Sequence, residues 1–188
     1  MMMRRIAGMA LALSMLAACD SGEKIAAAPE PQEVTIAAVG HYCGMNLIEH
    51  AGPKGQIFIN GSDQPVWFTA IKQVFAYTLL PEEPKGIRAI YVHDMGKARN
   101  WDQPEAGTWM DARHAYYVIE SQFIGGMGAE DALPFSDEAL ARQFAEKYHG
   151  RVVGFADMPE DYILHHDDAA QVPPSAPGPK PLSGEPSQ

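Results

Sequence analysis

Cysteine is nearly absent from this 188-residue chain, which has only Cys19 and Cys43. There is no Cys-x-x-Cys pair, and that argues against a thioredoxin-like redox enzyme. Positive charge is also scarce: 14 Lys and Arg stand against 24 Asp and Glu, for a formal charge of −10. Phosphate backbones recruit Lys and Arg, so this balance argues against nucleic acid as a partner. After the first residues no apolar run is long enough for a transmembrane helix. The acidic surface either attracts a cation or a basic partner, or simply keeps the chain soluble.

Arg4 and Arg5 precede an apolar stretch from Ile6 to Ala18, which ends in Leu16-Ala17-Ala18-Cys19. This pattern reads as a bacterial lipoprotein signal over residues 1–18, with Cys19 as the lipid-bearing first residue of the mature chain. The alternative is an ordinary secretory signal with a free cysteine nearby. Acylated Cys19 would anchor the protein on the periplasmic side of a bacterial membrane, inner or outer. With Arg4 and Arg5 removed and every acid kept, the formal charge falls from −10 to −12.

Residues 19–33, rich in Ala, Pro and Glu, read as a flexible tether. Residues 165–188 hold six prolines and no apolar periodicity beyond Val172, and are expected to be a disordered tail. The segment 34–164 remains as the folded domain, with two lobes expected at about 34–100 and 101–164.

Within it, Val34–Val39, Gln56–Asn60, Val66–Phe68 and Ile87–His93 read as strands, and Thr69 is placed to cap a helix running to Thr78. Ile87–His93 carries apolar groups on both faces and is expected at the centre of a sheet. A similar order returns: strands at Ala115–Glu120 and Leu133–Phe135, a helix capped by Ser136, and a strand at Arg151–Phe155. Leu140, Phe144 and Tyr148, four residues apart, give that helix its buried stripe. Strand, strand, helix, strand thus occurs twice, either as a diverged repeat or as chance recurrence of a common unit. The predicted class is α+β, with two ββαβ units in a two-lobed core.

If Cys19 carries lipid, Cys43 has no partner in its own chain. An unpaired thiol in an oxidising compartment is a hazard unless it has a function. Met45 lies two residues away, and this pair of soft sulfur donors selects Cu(I) over harder ions. The alternatives are a buried structural thiol for Cys43 and core packing for Met45. In an extended loop His41 would share a face with Cys43 and Met45. Its imidazole is a copper ligand in either oxidation state, and its alternative is a solvent-facing loop residue. His50 follows as a weaker candidate ligand. His93 and Met95 flank Asp94 as a secondary cluster. His165-His166-Asp167-Asp168 resembles a weak metal-binding tract at the start of the tail. Trp109-Met110-Asp111-Ala112-Arg113 reads as a packed turn with an ion pair, whose Asp is suited to orienting a ligand.

Four stretches together carry a family resemblance: Cys43-Gly44-Met45; Pro65-Val66-Trp67-Phe68; Trp109-Met110-Asp111-Ala112-Arg113-His114-Ala115-Tyr116-Tyr117-Val118; and Gly125-Gly126-Met127-Gly128 with Pro134-Phe135 shortly after. In this order, behind a lipoprotein signal, the chain from His41 to Leu164 resembles NosL, the nitrous oxide reductase accessory lipoprotein family. Family members usually carry Cys-Pro or a similar lead before Cys-Gly-Met, whereas here the lead is Gly40-His41-Tyr42.

The resemblance implies a pair of ββαβ units and a Cu(I) chaperone that supplies the copper–sulfide centre of nitrous oxide reductase. It implies partners in an ABC-type membrane transporter and its periplasmic companion. It also carries Met127 to the metal site from the second half, against the alternative of a loop methionine plugging the core.

Catalysis has little support. Cys43 and His41 suggest a thiol and a base, yet no third orienting group or oxyanion site accompanies them. The family's fold resembles that of an organomercurial lyase, which leaves a thiol-dependent metal-handling enzyme as the outsider, since fold analogy carries no activity. A lipoprotein that acts mainly by docking to the maturation machinery is the nearer alternative. The chain is read as a monomer, with a dimer sharing copper through two Cys43 loops as the alternative.

Overall fold

The computed structural model describes residues 28–164. The leader, Cys19, the first part of the tether and everything from His165 onward, including the His165–Asp168 tract, lie outside the described residues.

Two antiparallel sheets form. The first contains β1 (Gly55–Ile59), β2 (Val66–Phe68), β3 (Ile87–His93) and β4 (Trp109–Asp111), in the order β2-β1-β3-β4. The second contains β5 (Tyr116–Ile119), β6 (Leu133–Phe135) and β7 (Arg151–Gly154), in the order β6-β5-β7. Three helices accompany them: α1 (Ile71–Leu79), α2 (Glu138–Tyr148) and α3 (Glu160–Leu164). Each half therefore runs strand, strand, helix, strand with its first strand in the centre, β2-β1-β3 and β6-β5-β7. The α+β class and the paired ββαβ units agree with the sequence reading.

Alternation along the central strands explains the layers. Ile57 of β1 with Ile90 and Val92 of β3 packs against Ile71, Val74 and Phe75 of α1. Gly55 leaves the space that Val74 fills: a Cβ there would lie 2.1 Å from Val74 Cγ2. On β5, Tyr117 and Ile119 join this same core, while Val118 faces Leu133, Phe135, Ala141 and Phe144 on the α2 side. The ring centroids of Phe75 and Tyr117 are 5.0 Å apart, which joins α1 to the second sheet.

Several local expectations are corrected. Val34–Val39 forms no strand. Ala38 donates to Thr35, Gly40 to the Met45 carbonyl and Leu47 to the Ala38 carbonyl, so the backbone closes on itself instead of pairing with a sheet. Ile36 and Val39 are left exposed. Residues 29–32, expected within the tether, dock on the outer face of the first sheet. The buried Gln56 amide exchanges two 2.9 Å bonds with the backbone of Gln32, and Tyr91 donates to the Pro29 carbonyl. Trp109–Asp111 is a strand rather than a packed turn, paired to β3 through His93, Val92 and Tyr91. Asp111 caps the turn that follows it by accepting the Arg113 N–H at 2.8 Å, and its other oxygen lies 3.9 Å from His114 Nδ1, so it meets Arg113 through the backbone alone.

The proposed division near residue 100 also falls inside shared structure. β4 lies beyond it yet completes the first sheet, and Ala112, Ala115, Tyr117 and Ile119 fill the first half's core.

Both helix caps differ from expectation. Asp137, not Ser136, caps α2 by accepting the Ala139 and Leu140 N–H groups. Ser136 instead donates to Asp94. At α1 the capping position is Ala70, which offers no side chain. The Ile71 and Lys72 N–H groups are met by the carboxylate of Asp131, at 2.9 and 2.8 Å, from 60 residues further along the chain. Asp131 also accepts the Ala132 N–H at 2.9 Å.

Asp131 is fully buried, and desolvation raises its carboxyl from 3.8 to about 6 despite those three donors. Between these values the native state binds more proton than the unfolded chain. Its contribution therefore makes stability fall as pH rises from about 4 to about 6, and level off above that. Asp131→Asn, followed by urea unfolding across this range, is expected to flatten that component. Asp131→Ala is expected to lose about 2 kcal/mol at neutral pH, because buried helix donors go unpaired.

Candidate metal site

The expected extended loop around Cys43 is a tight turn. Gly44 takes a φ of +66° and donates to the Gly40 carbonyl at 2.9 Å. His41 donates its backbone N–H to Trp67, which suspends the turn from the edge of β2. This geometry separates His41 from the position predicted for it. Its ring packs near Tyr42, Phe68 and Tyr77, and its Nε2 lies 3.1 Å from the Glu83 carboxylate. Tyr42 donates to the same oxygen at 2.8 Å. The alternation that would align His41 with Cys43 holds only for extended backbone.

The Cys43 thiol is half-buried, 3.5 Å from the hydroxyl of Thr69. Gly40 lies directly against it: a Cβ there would meet Sγ at 2.6 Å and the Thr69 methyl at 3.1 Å. Met45 and Met127 are exposed, at 38% and 36%. Neither methionine fills a core, so the packing alternatives for these two residues are not what the structure adopts.

His50 connects the two halves. Its Nδ1 lies 3.1 Å from the carbonyl of Gly126, the neighbour of Met127 and 76 residues away in sequence. A carbonyl only accepts, so Nδ1 carries the proton and Nε2 presents its lone pair. That Nε2 is buried and has no hydrogen-bond partner. Gly126 sits so close to Ala51 that a Cβ would lie 2.2 Å from the Ala51 carbonyl oxygen. The segment carrying Cys43, Met45 and His50 is thus fastened to the turn carrying Met127. A thiol, two thioethers and an unpaired imidazole nitrogen thus lie on two segments that are fastened together, and donors of these types suit Cu(I), with the nitrogen as a borderline donor beside soft sulfur. Among the described residues no cluster of three or more His, Cys, Asp or Glu side chains is arranged to hold a metal.

The secondary cluster dissolves. Met95 is buried in the core beside α2, while the His93 ring lies 3.7 Å from that of Trp109. His93 Nδ1 accepts the Lys54 N–H, and burial lowers its imidazole from 6.5 to about 3, with the Lys54 charge adding to the shift. Lys54 itself is buried and donates to the Gly52 carbonyl at 2.6 Å. Desolvation lowers its ammonium to about 8, against the opposing pull of Asp131 and Asp102. Lys54 and Asp131 escaped the sequence reading. Their only sequence signal is a charged residue beside an otherwise small or apolar stretch.

These features define an α+β protein that presents exposed methionines on loops from both of its halves, one of them beside a half-buried thiol. The NosL family model matches residues 31–163, and the chain belongs to that family. It is 44% identical to the copper-binding lipoprotein NosL of Achromobacter cycloclastes over 156 residues, covering 82% of this chain and 80% of that protein. The copper-binding lipoprotein NosL of Stutzerimonas stutzeri is 33% identical over 143 residues, 76% and 73% of the two chains. The crystal structure of the copper chaperone NosL from Shewanella denitrificans superposes with a TM-score of 0.66 at 30% identity, over 70% of this chain and 97% of that one.

The close approach of Gly126 to Ala51 is a testable joint. Gly126→Ala is expected to cost about 1–3 kcal/mol in thermal or denaturant unfolding, since a rigid backbone atom must move. Gly128→Ala meets no atom within 4 Å, and its φ of +77° limits its cost to backbone strain, about 1–2 kcal/mol.

Proposed function

We propose that this chain is a Cu(I) chaperone that holds copper through Cys43, Met45 and Met127, with His50 as a further ligand, and passes it on for assembly of the copper–sulfide centre of nitrous oxide reductase. Copper here is cargo. The observation that carries this reading is the fastening of His50 to Gly126, which joins the loop bearing Cys43 and Met45 to the turn bearing Met127 and leaves the other imidazole nitrogen buried without a hydrogen-bond partner. The relatives named above as copper-binding lipoproteins and as a copper chaperone support it. Cys43 binds as the thiolate, releasing its proton to solvent when the metal arrives. His41 is left out of the ligand set because its Nε2 is engaged by Glu83.

A chaperone must give up its metal, and a site on the surface suits exchange. Among the described residues, Ile36, Val39, Tyr42, Met45, Ile48, Ile124 and Met127 are exposed large apolar side chains. They belong to the two segments that carry the sulfurs, and an apolar rim of this kind suits a docking partner that closes over the site. The partners in this reading are the membrane transporter of the maturation machinery and its periplasmic companion. The same rim favours the second reading, a docking factor for which copper is secondary. Among the described residues no helix is long and apolar enough to cross a membrane. Anchoring is assigned to acylated Cys19, with the folded region on the periplasmic side.

Anaerobic Cu(I) titration against a competing chelator tests the site. Cys43→Ser is expected to abolish tight binding, and Met45→Ala and Met127→Ala to weaken it by about tenfold or more each. Unchanged binding in all three removes the site. Reductase copper content in cells carrying Cys43→Ser separates the two readings: empty centres support delivery, whereas full centres support docking alone.

A further inference from the structure

Thr69 stands one residue before Ala70, the capping position of α1, and its hydroxyl caps nothing. The first N–H groups of α1 belong to Asp131. The hydroxyl of Thr69 points instead at the Cys43 thiol, 3.5 Å away, and at Gln73 Oε1, 3.2 Å away. Gln73 is set by the Thr69 backbone N–H, which lies 3.3 Å from the same side-chain atom. A backbone N–H only donates, so the Gln73 atom it meets is the amide oxygen. Thr69 is buried, and its methyl group and the thiol together enclose Gly40.

An amide oxygen is a better acceptor than a thiol sulfur, and this sets the directions. The Thr69 hydroxyl has one hydrogen, and Gln73 Oε1 takes it. Its oxygen lone pairs remain to accept the thiol S–H. When Cu(I) displaces that proton to solvent, the sulfur becomes an acceptor with no hydrogen of its own. The hydroxyl rotates, donates to the thiolate and leaves Gln73 Oε1 with the backbone N–H alone. No proton is gained or lost by Thr69.

We propose that Thr69, held by Gln73, is a positioning residue for the copper-loaded site: its hydroxyl accepts from the Cys43 thiol before loading and donates to the metal-bound sulfur afterwards. The inference rests on Cys43 being a copper ligand. Outer hydrogen bonds of this kind orient a ligand and tune how strongly it holds metal, and their loss typically lowers affinity 10–100-fold. Asp131 makes the arrangement available by capping α1 in the place of Thr69.

Thr69→Val keeps the methyl packing and deletes the hydroxyl, whereas Thr69→Ser does the reverse. Both are to be compared with the unaltered protein by anaerobic Cu(I) competition, by the ultraviolet thiolate–Cu(I) absorption band and by thermal unfolding of the metal-free form. Thr69→Val is expected to weaken binding at least about tenfold and to shift the band, and Thr69→Ser to restore both. Unchanged affinity and band in Thr69→Val overturn the inference. So does a Thr69→Ser protein as weak as Thr69→Val, since packing against Gly40 would then be the cause. Cys43→Ser in the same titration keeps the two levels apart. Tight binding that survives it removes the copper site itself, whereas binding that it abolishes but Thr69→Val leaves untouched removes only the role of Thr69.

Discussion

A carboxylate buried at the start of α1 sets the relation between the two halves of this protein. Asp131 belongs to the second ββαβ unit and caps the helix of the first. Water would solvate this carboxylate better than the core does, which is why burial raises its pKa, and three backbone donors hold it in place. Around it the contacts are dense. Gly125 is pressed against its side chain, with room for a Cβ only at 2.9 Å from the Asp131 Cβ. Its neighbour Glu130 pairs with Lys72 at 3.0 Å and accepts from Tyr162. The turn bearing Met127 is therefore anchored to the start of α1, and Thr69, two residues before that helix, lies 3.5 Å from the Cys43 thiol.

The buried polar groups behind the loops serve the same end. Lys54 ties the backbone at Gly52, and His93, neutral under Trp109, receives the Lys54 N–H. Gln103 donates to the carbonyls of Ile48 and His50 from the third side. The backbone beneath the candidate ligands is thus held by hydrogen bonds from several elements, while the sulfurs of Met45 and Met127 reach the surface. A firmly held base under exposed soft donors suits the proposed binding and release of copper.

Much of this was legible in local patterns. The apolar content of β1, β3, β5 and β7 and the Leu140, Phe144 and Tyr148 stripe of α2 place those elements within a residue or two of where they form. The soft donors Cys43 and Met45 stand out by residue type alone, and Met127 through its family segment. The failures have a common origin. Val34–Val39 has strand composition, but it reaches the edge of β2 only at Gly40, just past its end, and its backbone is otherwise satisfied locally. Trp109–Asp111 reads as a turn until β3 is present beside it. Thr69 reads as a cap until Asp131 displaces it.

The sequence by itself determined which segments are apolar on one face, which residues carry soft donors and which family the chain resembles, because these depend on residue type and short-range period. Tertiary structure alone decided that His41 turns to Glu83 and His50 to Gly126, and that a distant carboxylate starts α1. Those choices depend on groups 42 to 76 residues apart in the chain meeting one another. Only the folded arrangement of loops, helix and sheets brings these partners together.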